Sequence, residues 1–235
     1  MNNLQKGKLL KKKSILIFIL ISYSQIFSKK ISPYESHLMT TLRNKNTSLQ
    51  DFRAASHKIG SMLAHKTATH LFPKTRTVQT PLKITLTSKV FNEEIIIIPI
   101  LRAGLALLPS FLECYPSAHI GIVGMKNNSK INTITTCYYE NIPPITTSSN
   151  IVILDPVIAT GSTALETLHI LEKRNIQQEQ IVYVSIVACK VGVEKIYEKY
   201  PHIKIIATNY DLVMDKEGWI RPGIGDFGDR YFGIN

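Results

Sequence analysis

The chain has 235 residues, enough for one α/β domain with at most a small appendage, and at 44% hydrophobic it can bury an ordinary core. Its net charge of +11 is not a nucleic-acid footprint over the folded part. Residues 1–30 hold seven of the 28 basic residues and no acid, leaving 21 basic against 17 acidic residues, or +4, for the remainder.

That division predicts two segments, a basic and apolar extension over residues 1–30 and a folded domain over 31–235. In the extension, Lys11-Lys12-Lys13 precede SILIFILI, an apolar run too short to span a bilayer unaided. The pair resembles a secretory signal, but Ser22 to Ser28 offers no small-x-small cleavage site. A targeting extension, a weak anchor and a misassigned start all fit. Cys114, Cys137 and Cys189 are odd in number with no CxxC pair, which favours a reducing compartment over export. About one residue in seven is isoleucine, a bias typical of AT-rich coding, so cytoplasm or plastid stroma is the expected location.

In chain order, helical spacing is predicted over Ser36–Asn44 and Ser48–Thr67. In the second, Ser48 with Asp51 forms an N-terminal capping arrangement, and Phe52, Ala55, Ile59, Met62 and Leu63 face a core. Residues 94–101 are a continuous apolar run, as for a strand covered on both faces. A helix over Leu105–Glu113 follows, with Pro109 acceptable only near its first turn. A strand at 119–125, a polar arm at 126–149 and a strand at 151–154 come next. Helix 163–174, strand 181–188, helix 192–199 and strand 203–207 complete the series. This alternation predicts an α/β fold, a mostly parallel twisted sheet with helices on both faces. Ligands bind such sheets outside the carboxyl ends of the strands, where the Leu101–Gly104 and Asp155–Thr163 loops both emerge.

The second loop reads Asp155-Pro156-Val157-Ile158-Ala159-Thr160-Gly161-Ser162-Thr163. It lacks the lysine of a P-loop and the spacing of a dinucleotide fingerprint. Its hydroxyls and glycine open a helix whose free N–H groups suit a monophosphate, with Asp155 placed for ribose hydroxyls. Taken alone, a phosphosugar site and a plain capped turn fit equally well.

The stretch LDPVIATGST resembles the phosphoribosyl-pyrophosphate (PRPP) loop of the phosphoribosyltransferases, with Asp155-Pro156 in the manner of the uracil branch. The segment from Gly218 to Gly233, GWIRPGIGDFGDRYFG, is similar to that branch's uracil-binding tail, and Pro99-Ile100-Leu101-Arg102-Ala103-Gly104 to its pyrophosphate loop. The resemblance runs from about His37 to Gly233 and implies a phosphoribosyltransferase-like sheet with a carboxyl-terminal base-binding hood. It further implies that uracil and PRPP become UMP and diphosphate, with Mg²⁺ as cofactor, a homo-oligomeric assembly and stimulation by GTP. Arg102, Asp155 and Asp226 are the implied catalytic residues; Arg102, residues 155–163 and Asp226 bind PRPP, and Asp226 reaches Mg²⁺ through water. Ile220, Gly225, Asp226 and Phe227 are the implied uracil contacts. Uracil shows an acceptor–donor–acceptor edge, which backbone groups of a rigid Gly/Pro loop can match, whereas cytosine would leave donors unpaired. Arg102's forked charge suits a departing pyrophosphate.

Two positions depart from the family pattern. Gly124-Met125-Lys126-Asn127 stands where the family has Gly-Met-Tyr-Arg, so Asn127 carries no guanidinium and Lys126 is the candidate point charge for PRPP. Ser162 stands where the family has a second glycine, a costly change if that position needs a positive φ and harmless if it is already helical. The departures leave a second reading open, a homologue that binds nucleotide or PRPP as a regulator. A third, a nucleic-acid-binding regulator on the same fold, needs a basic face that the +4 balance does not supply.

Overall fold

The structure, a computed structural model, describes residues 31–71, 73–91, 94–128 and 134–234. The expectations for residues 1–30 fall outside them.

A six-strand path forms the central sheet. In chain order its strands are β3 (Ile95–Leu101), β5 (Ile122–Asn128), β6 (Ile134–Asn141), β7 (Asn150–Leu154), β9 (Ile181–Cys189) and β10 (Lys204–Asp211). Across the sheet they run β10-β9-β7-β3-β5-β6, with the short β4 (His119–Ile120) on β3 and β8 (Val157–Ile158) on β9. Only β6 is antiparallel to its neighbour, so the mostly parallel sheet is borne out.

The apolar run of β3 divides with the two-residue period of a strand. Ile95 and Ile97 pack with Leu42 of α1 (Pro33–Arg43), Phe52 and Ile59 of α2 (Leu49–Ala68) and Phe111 of α3 (Leu108–Cys114). Ile96, Ile98 and Ile100 face the other way, against Leu168 and Leu171 of α4 (Ser162–Lys173) and Val193 and Ile196 of α5 (Lys190–Lys199). Burial on both faces is why these strands read as unbroken hydrophobic runs.

Helix α2 matches its expectation. Ser48 Oγ accepts the Asp51 N–H at 3.1 Å, and four of the five predicted core residues are buried; Met62 is half-buried. Helix α1 begins three residues before the predicted Ser36. Ser32 caps it, with Glu35 N–H donating to Ser32 Oγ at 3.2 Å and Ser32 N–H to Glu35 Oε2 at 2.8 Å. The single helix expected over 105–113 is two pieces, a 3₁₀ turn at Ala103–Ala106 and then α3, whose first turn holds Pro109. The strand expected at 119–125 is likewise split into β4 and β5.

The polar arm expected at 126–149 is half a hairpin. β5 runs on to Asn128 and pairs with β6, placing Gly124 opposite Tyr139. A side chain at Gly124 would meet the Tyr138 ring at 2.6 Å. A second hairpin, β1 (Pro73–Gln79) with β2 (Thr85–Phe91), has no counterpart among the predicted elements. Val78 faces Leu86 across the pair, but both are exposed and Lys74, Arg76 and Ser88 interrupt that face, so hydrophobic periodicity gives no strand signal there.

Candidate active site

The chain leaves β3 toward β5 on one side and returns to β7 on the other, which makes the carboxyl ends of β3 and β7 the switch point of the sheet. Arg102 follows β3 directly and Asp155 follows β7 directly. The two loops are drawn together by Gly104, where an added Cβ would lie 2.3 Å from the Leu154 carbonyl oxygen. Only a residue with no side chain allows that approach. The Leu101–Arg102 peptide is cis.

Asp155 is half-buried and accepts the Tyr183 hydroxyl at 2.7 Å. Burial pushes its carboxyl up to about 6, opposed by the Tyr183 hydroxyl and the Val157 N–H. The Tyr183 phenol is itself raised well above its ordinary value, by burial first and by the neighbouring Asp155 carboxylate second, so it stays a donor.

The loop after Asp155 turns into α4 through Gly161, whose φ is +81°. Its own Cβ would lie 2.8 Å from the Gly192 carbonyl oxygen, and one on Gly192 would lie 2.3 Å from that of Ala159. The left-handed conformation therefore falls on 161, and Ser162 is already the first helical residue. The departure at 162 is harmless in this backbone. Intrahelical bonding starts with Leu165 N–H on the Gly161 carbonyl at 2.9 Å, which leaves the N–H groups of Ser162, Thr163 and Ala164 without intrahelical acceptors. Thr160 Oγ1 and Ser162 Oγ sit 2.8 Å apart at the same end.

The carboxyl-terminal tail arrives over these loops. β12 (Ile220–Arg221) pairs with β11 (Val213–Met214), and α6 (Phe227–Phe232) begins at Asp226, which accepts the Asp229 N–H at 2.9 Å. Arg102 donates to Asp229 Oδ1 at 3.2 Å and lies over the Phe232 ring at 5.7 Å, so the tail closes on the loop after β3. Ile220 and Phe227 are buried; Gly225 and Asp226 are exposed. Trp219, Ile220, Arg221, Pro222, Gly225 and Asp226 line a depression of about 330 Å³.

Of the expected site residues, the structure brings Arg102 to the tail and Asp155 to the neighbouring strand end. Lys126 is exposed on β5, two residues beyond Gly124, which is in register with Leu101. The arm thus leaves the same edge of the sheet. The Asn127 side chain lies outside the described residues. Among the described residues no cluster of three or more His, Cys, Asp or Glu could hold a metal. A cation here would have to be bound largely through substrate oxygens and water, the usual habit of Mg²⁺, and the exposed carboxylate of Asp226 fits that mode.

Sequence reasoning missed Asp229, Tyr183, Arg43, Asp211 and Arg230. Tyr183 carried a signal, since a phenol inside the buried strand IVYVSIVAC needs a polar partner. Arg43 and Asp211 carried none, being 168 positions apart.

The uracil phosphoribosyltransferase family model matches residues 31–234. The chain belongs to the uracil phosphoribosyltransferase family. It is thus a phosphoribosyltransferase of pyrimidine salvage, forming UMP from uracil. It is 34% identical over 195 residues to the uracil phosphoribosyltransferase of Metamycoplasma hominis, covering 83% of this chain and 92% of that one. It is 32% identical to that of Thermosipho melanesiensis, covering 85% and 95%. Among solved structures, the AQ2163 protein from Aquifex aeolicus superposes with a TM-score of 0.78 at 31% identity, over 88% of this chain and 98% of that one. The adenine phosphoribosyltransferase of Trypanosoma brucei shares the fold, with a TM-score of 0.52 at 13% identity over 80% and 85% of the two chains.

Proposed function

We propose that the chain transfers the phosphoribosyl group at the switch point of its sheet, with PRPP across the two strand ends and uracil beneath the tail. The 5-phosphate sits on the N–H groups of Ser162, Thr163 and Ala164, with the hydroxyls of Thr160, Ser162 and Thr163 as further donors. Asp155 accepts from the ribose hydroxyls. Arg102 exchanges Asp229 for the pyrophosphate, a more highly charged acceptor, and Lys126 adds a second positive charge from the arm. Ile220, Gly225 and Phe227 present backbone donors and acceptors to the uracil edge. Asp226 would hold Mg²⁺ through the ion's water shell, and the ion would supply neutralising charge for the departing pyrophosphate.

Displacement at the anomeric carbon passes through an oxocarbenium-like state with the leaving group departing early. The chain's own contribution is positioning and electrostatic stabilisation, and no side chain is assigned as a general base. The observation that carries this reading is the convergence of Arg102, the Asp155 loop and the tail on one edge of the sheet.

The test is UMP formation from labelled uracil, PRPP and Mg²⁺, with cytosine and hypoxanthine as controls. UMP from uracil alone is the expected result. PRPP binding without turnover would return the regulator reading.

The proposal includes self-association. The hairpin of β1 and β2 exposes Val78, Leu82, Ile84 and Leu86, an apolar set suited to a second copy of the chain. Light scattering on the purified protein tests it. On the resemblance alone the proposal extends to GTP stimulation, which addition of GTP to the same assay checks. Composition favours cytoplasm or plastid stroma, which localisation of a tagged chain checks. Among the described residues no helix is long and apolar enough to cross a membrane.

A further inference from the structure

The tail that covers the active site is fixed by an ion pair drawn from opposite ends of the chain. Arg43, in the last turn of α1, donates to Asp211 at the end of β10 through both guanidinium nitrogens, at 2.9 and 2.7 Å. The Asp211 side chain is 4% exposed and that of Arg43 23%. Asn209 Nδ2 donates to Asp211 Oδ1 at 2.7 Å, which fixes the carboxylate's orientation.

The same pair grips one residue of the tail from both sides. Gly223 N–H donates to Asp211 Oδ2 at 3.1 Å, and the Gly223 carbonyl accepts from Arg43 Nη1 at 2.7 Å. Gly223 has φ +65°, and a Cβ there would lie 2.2 Å from the Ile220 carbonyl oxygen. It is therefore the tight turn that sets Ile220 relative to Gly225, both of which line the 330 Å³ depression. Arg230 adds a separate hold further along. It donates to the carbonyls of Leu42, Ile224 and Asn44, the last two at 2.7 Å, and stacks over Phe52 at 4.3 Å.

We propose that Arg43 and Asp211 are positioning residues for uracil: by clamping Gly223 they hold the backbone groups of Ile220 and Gly225 at the spacing the base requires. The inference rests on reading the tail as the base site. Neither residue belongs to the phosphate-binding loop or to the loop carrying Arg102, so their effect should fall mainly on uracil and reach PRPP only through Asp226, which follows Gly225 in the tail. An edge read by backbone donors and acceptors is sensitive to small displacements, and the clamp acts on the turn that would transmit them.

Asp211→Asn keeps the shape and removes the charge. Arg43→Lys keeps the charge and loses the fork that engages Asp211 and Gly223 together. The expected result is a uracil KM raised about tenfold or more in Asp211→Asn and by less in Arg43→Lys, with a clearly smaller rise in the PRPP KM. Trp219, the only tryptophan, lies in the tail and is 49% exposed, which supplies a readout independent of turnover. Its acrylamide quenching should increase in both variants while helical circular dichroism is retained. Uracil and PRPP constants that rise in parallel, or an unchanged uracil KM, would overturn the proposal. If Asp211→Asn fails to fold, Arg43→Lys and Arg43→Gln decide it by the same constants and quenching. Should the parent protein make no UMP, the base-site reading fails, and unchanged Trp219 quenching in the variants would separately refute the clamp.

Discussion

Tyr183→Phe isolates the hydroxyl that holds Asp155. The phenol is buried and stays protonated, so it donates to the carboxylate at every working pH. A hydrogen bond to a charged group contributes about 1.5–3 kcal/mol, and one pKa unit is about 1.4 kcal/mol, so losing it should raise the Asp155 pKa by about one to two units. In the parent, burial already places that carboxyl at about 6. PRPP binding that needs the ionised carboxylate should therefore weaken below about pH 6 in the parent and below about pH 7–8 in the variant. The assay is calorimetric PRPP affinity without uracil, taken from about pH 5.5 to 9. Ionisation of the ligand's own phosphates is common to both proteins and cancels in their ratio. The expected ratio is about two- to tenfold near neutrality and closes toward one at the alkaline end. A ratio independent of pH would refute the reasoning, because the hydroxyl would then act by packing alone.

Asp155→Asn should abolish PRPP binding and raise thermal stability at neutral pH. A folded pKa above the ordinary 3.8 means that the native state binds this proton more tightly, so the residue's contribution falls as pH rises from about 4 to 6. Removing the carboxyl recovers up to about 2–3 kcal/mol, readable as a Tm increase at pH 7 that shrinks toward pH 4. Gly161→Ala forces a side chain into φ +81° against the Gly192 carbonyl and should cost about 1–3 kcal/mol along with a large loss of PRPP affinity, measured by denaturant midpoint and calorimetry. Glu94 accepts hydroxyls from Ser148 at 2.6 Å, Ser149 at 2.6 Å and Thr146 at 2.5 Å, which lower its carboxyl to about 2. That stabilisation is complete above about pH 4.5 and is lost as pH falls toward 2, so Glu94→Gln should lower Tm at pH 7 by the equivalent of about 1 kcal/mol and matter little at pH 2. Asn127→Arg should raise kcat/KM for PRPP by about tenfold if the arm carries the charge that the resemblance implies; an unchanged value assigns that work to Lys126 or Arg102.

What the sequence discloses depends on how local the cause is. The isoleucine run of β3 and the Ser48 cap are settled by neighbours within a turn or a strand, and both are legible. The tail and the Asp155 loop are legible only through their resemblance to a known family, since read alone the loop fits a phosphosugar site and a plain capped turn equally well. Helix α1 begins early because Ser32 and Glu35 bond reciprocally, a capping box present in the sequence that the apolar spacing from Ser36 hides. The hairpin of β1 and β2 shows the opposite limit, since its residues pair with each other and bury little that a pattern could reveal. Arg43 and Asp211 meet only after the whole chain has folded, and no spacing rule connects positions so far apart.

The site is held by two kinds of contact, with different consequences for function. The edge proposed for phosphate rests on backbone against backbone, at Gly104 on Leu154 and at Gly161 and Gly192 on each other's loops, where no side chain fits. The hood is held by guanidinium groups. Arg43 and Arg230 act in partly buried surroundings, whereas Arg102 is 56% exposed and its partner Asp229 34%. An exposed pair of this kind contributes only about 0–1 kcal/mol. On the proposed reading, exchanging Asp229 for an incoming pyrophosphate therefore costs little, while the groups that hold the tail stay anchored by bonds that the substrate does not replace. If the proposed sites hold, a rigid cradle for phosphate, a firmly anchored turn for the base and one loosely held arginine between them are what a reaction driven by positioning and leaving-group stabilisation requires.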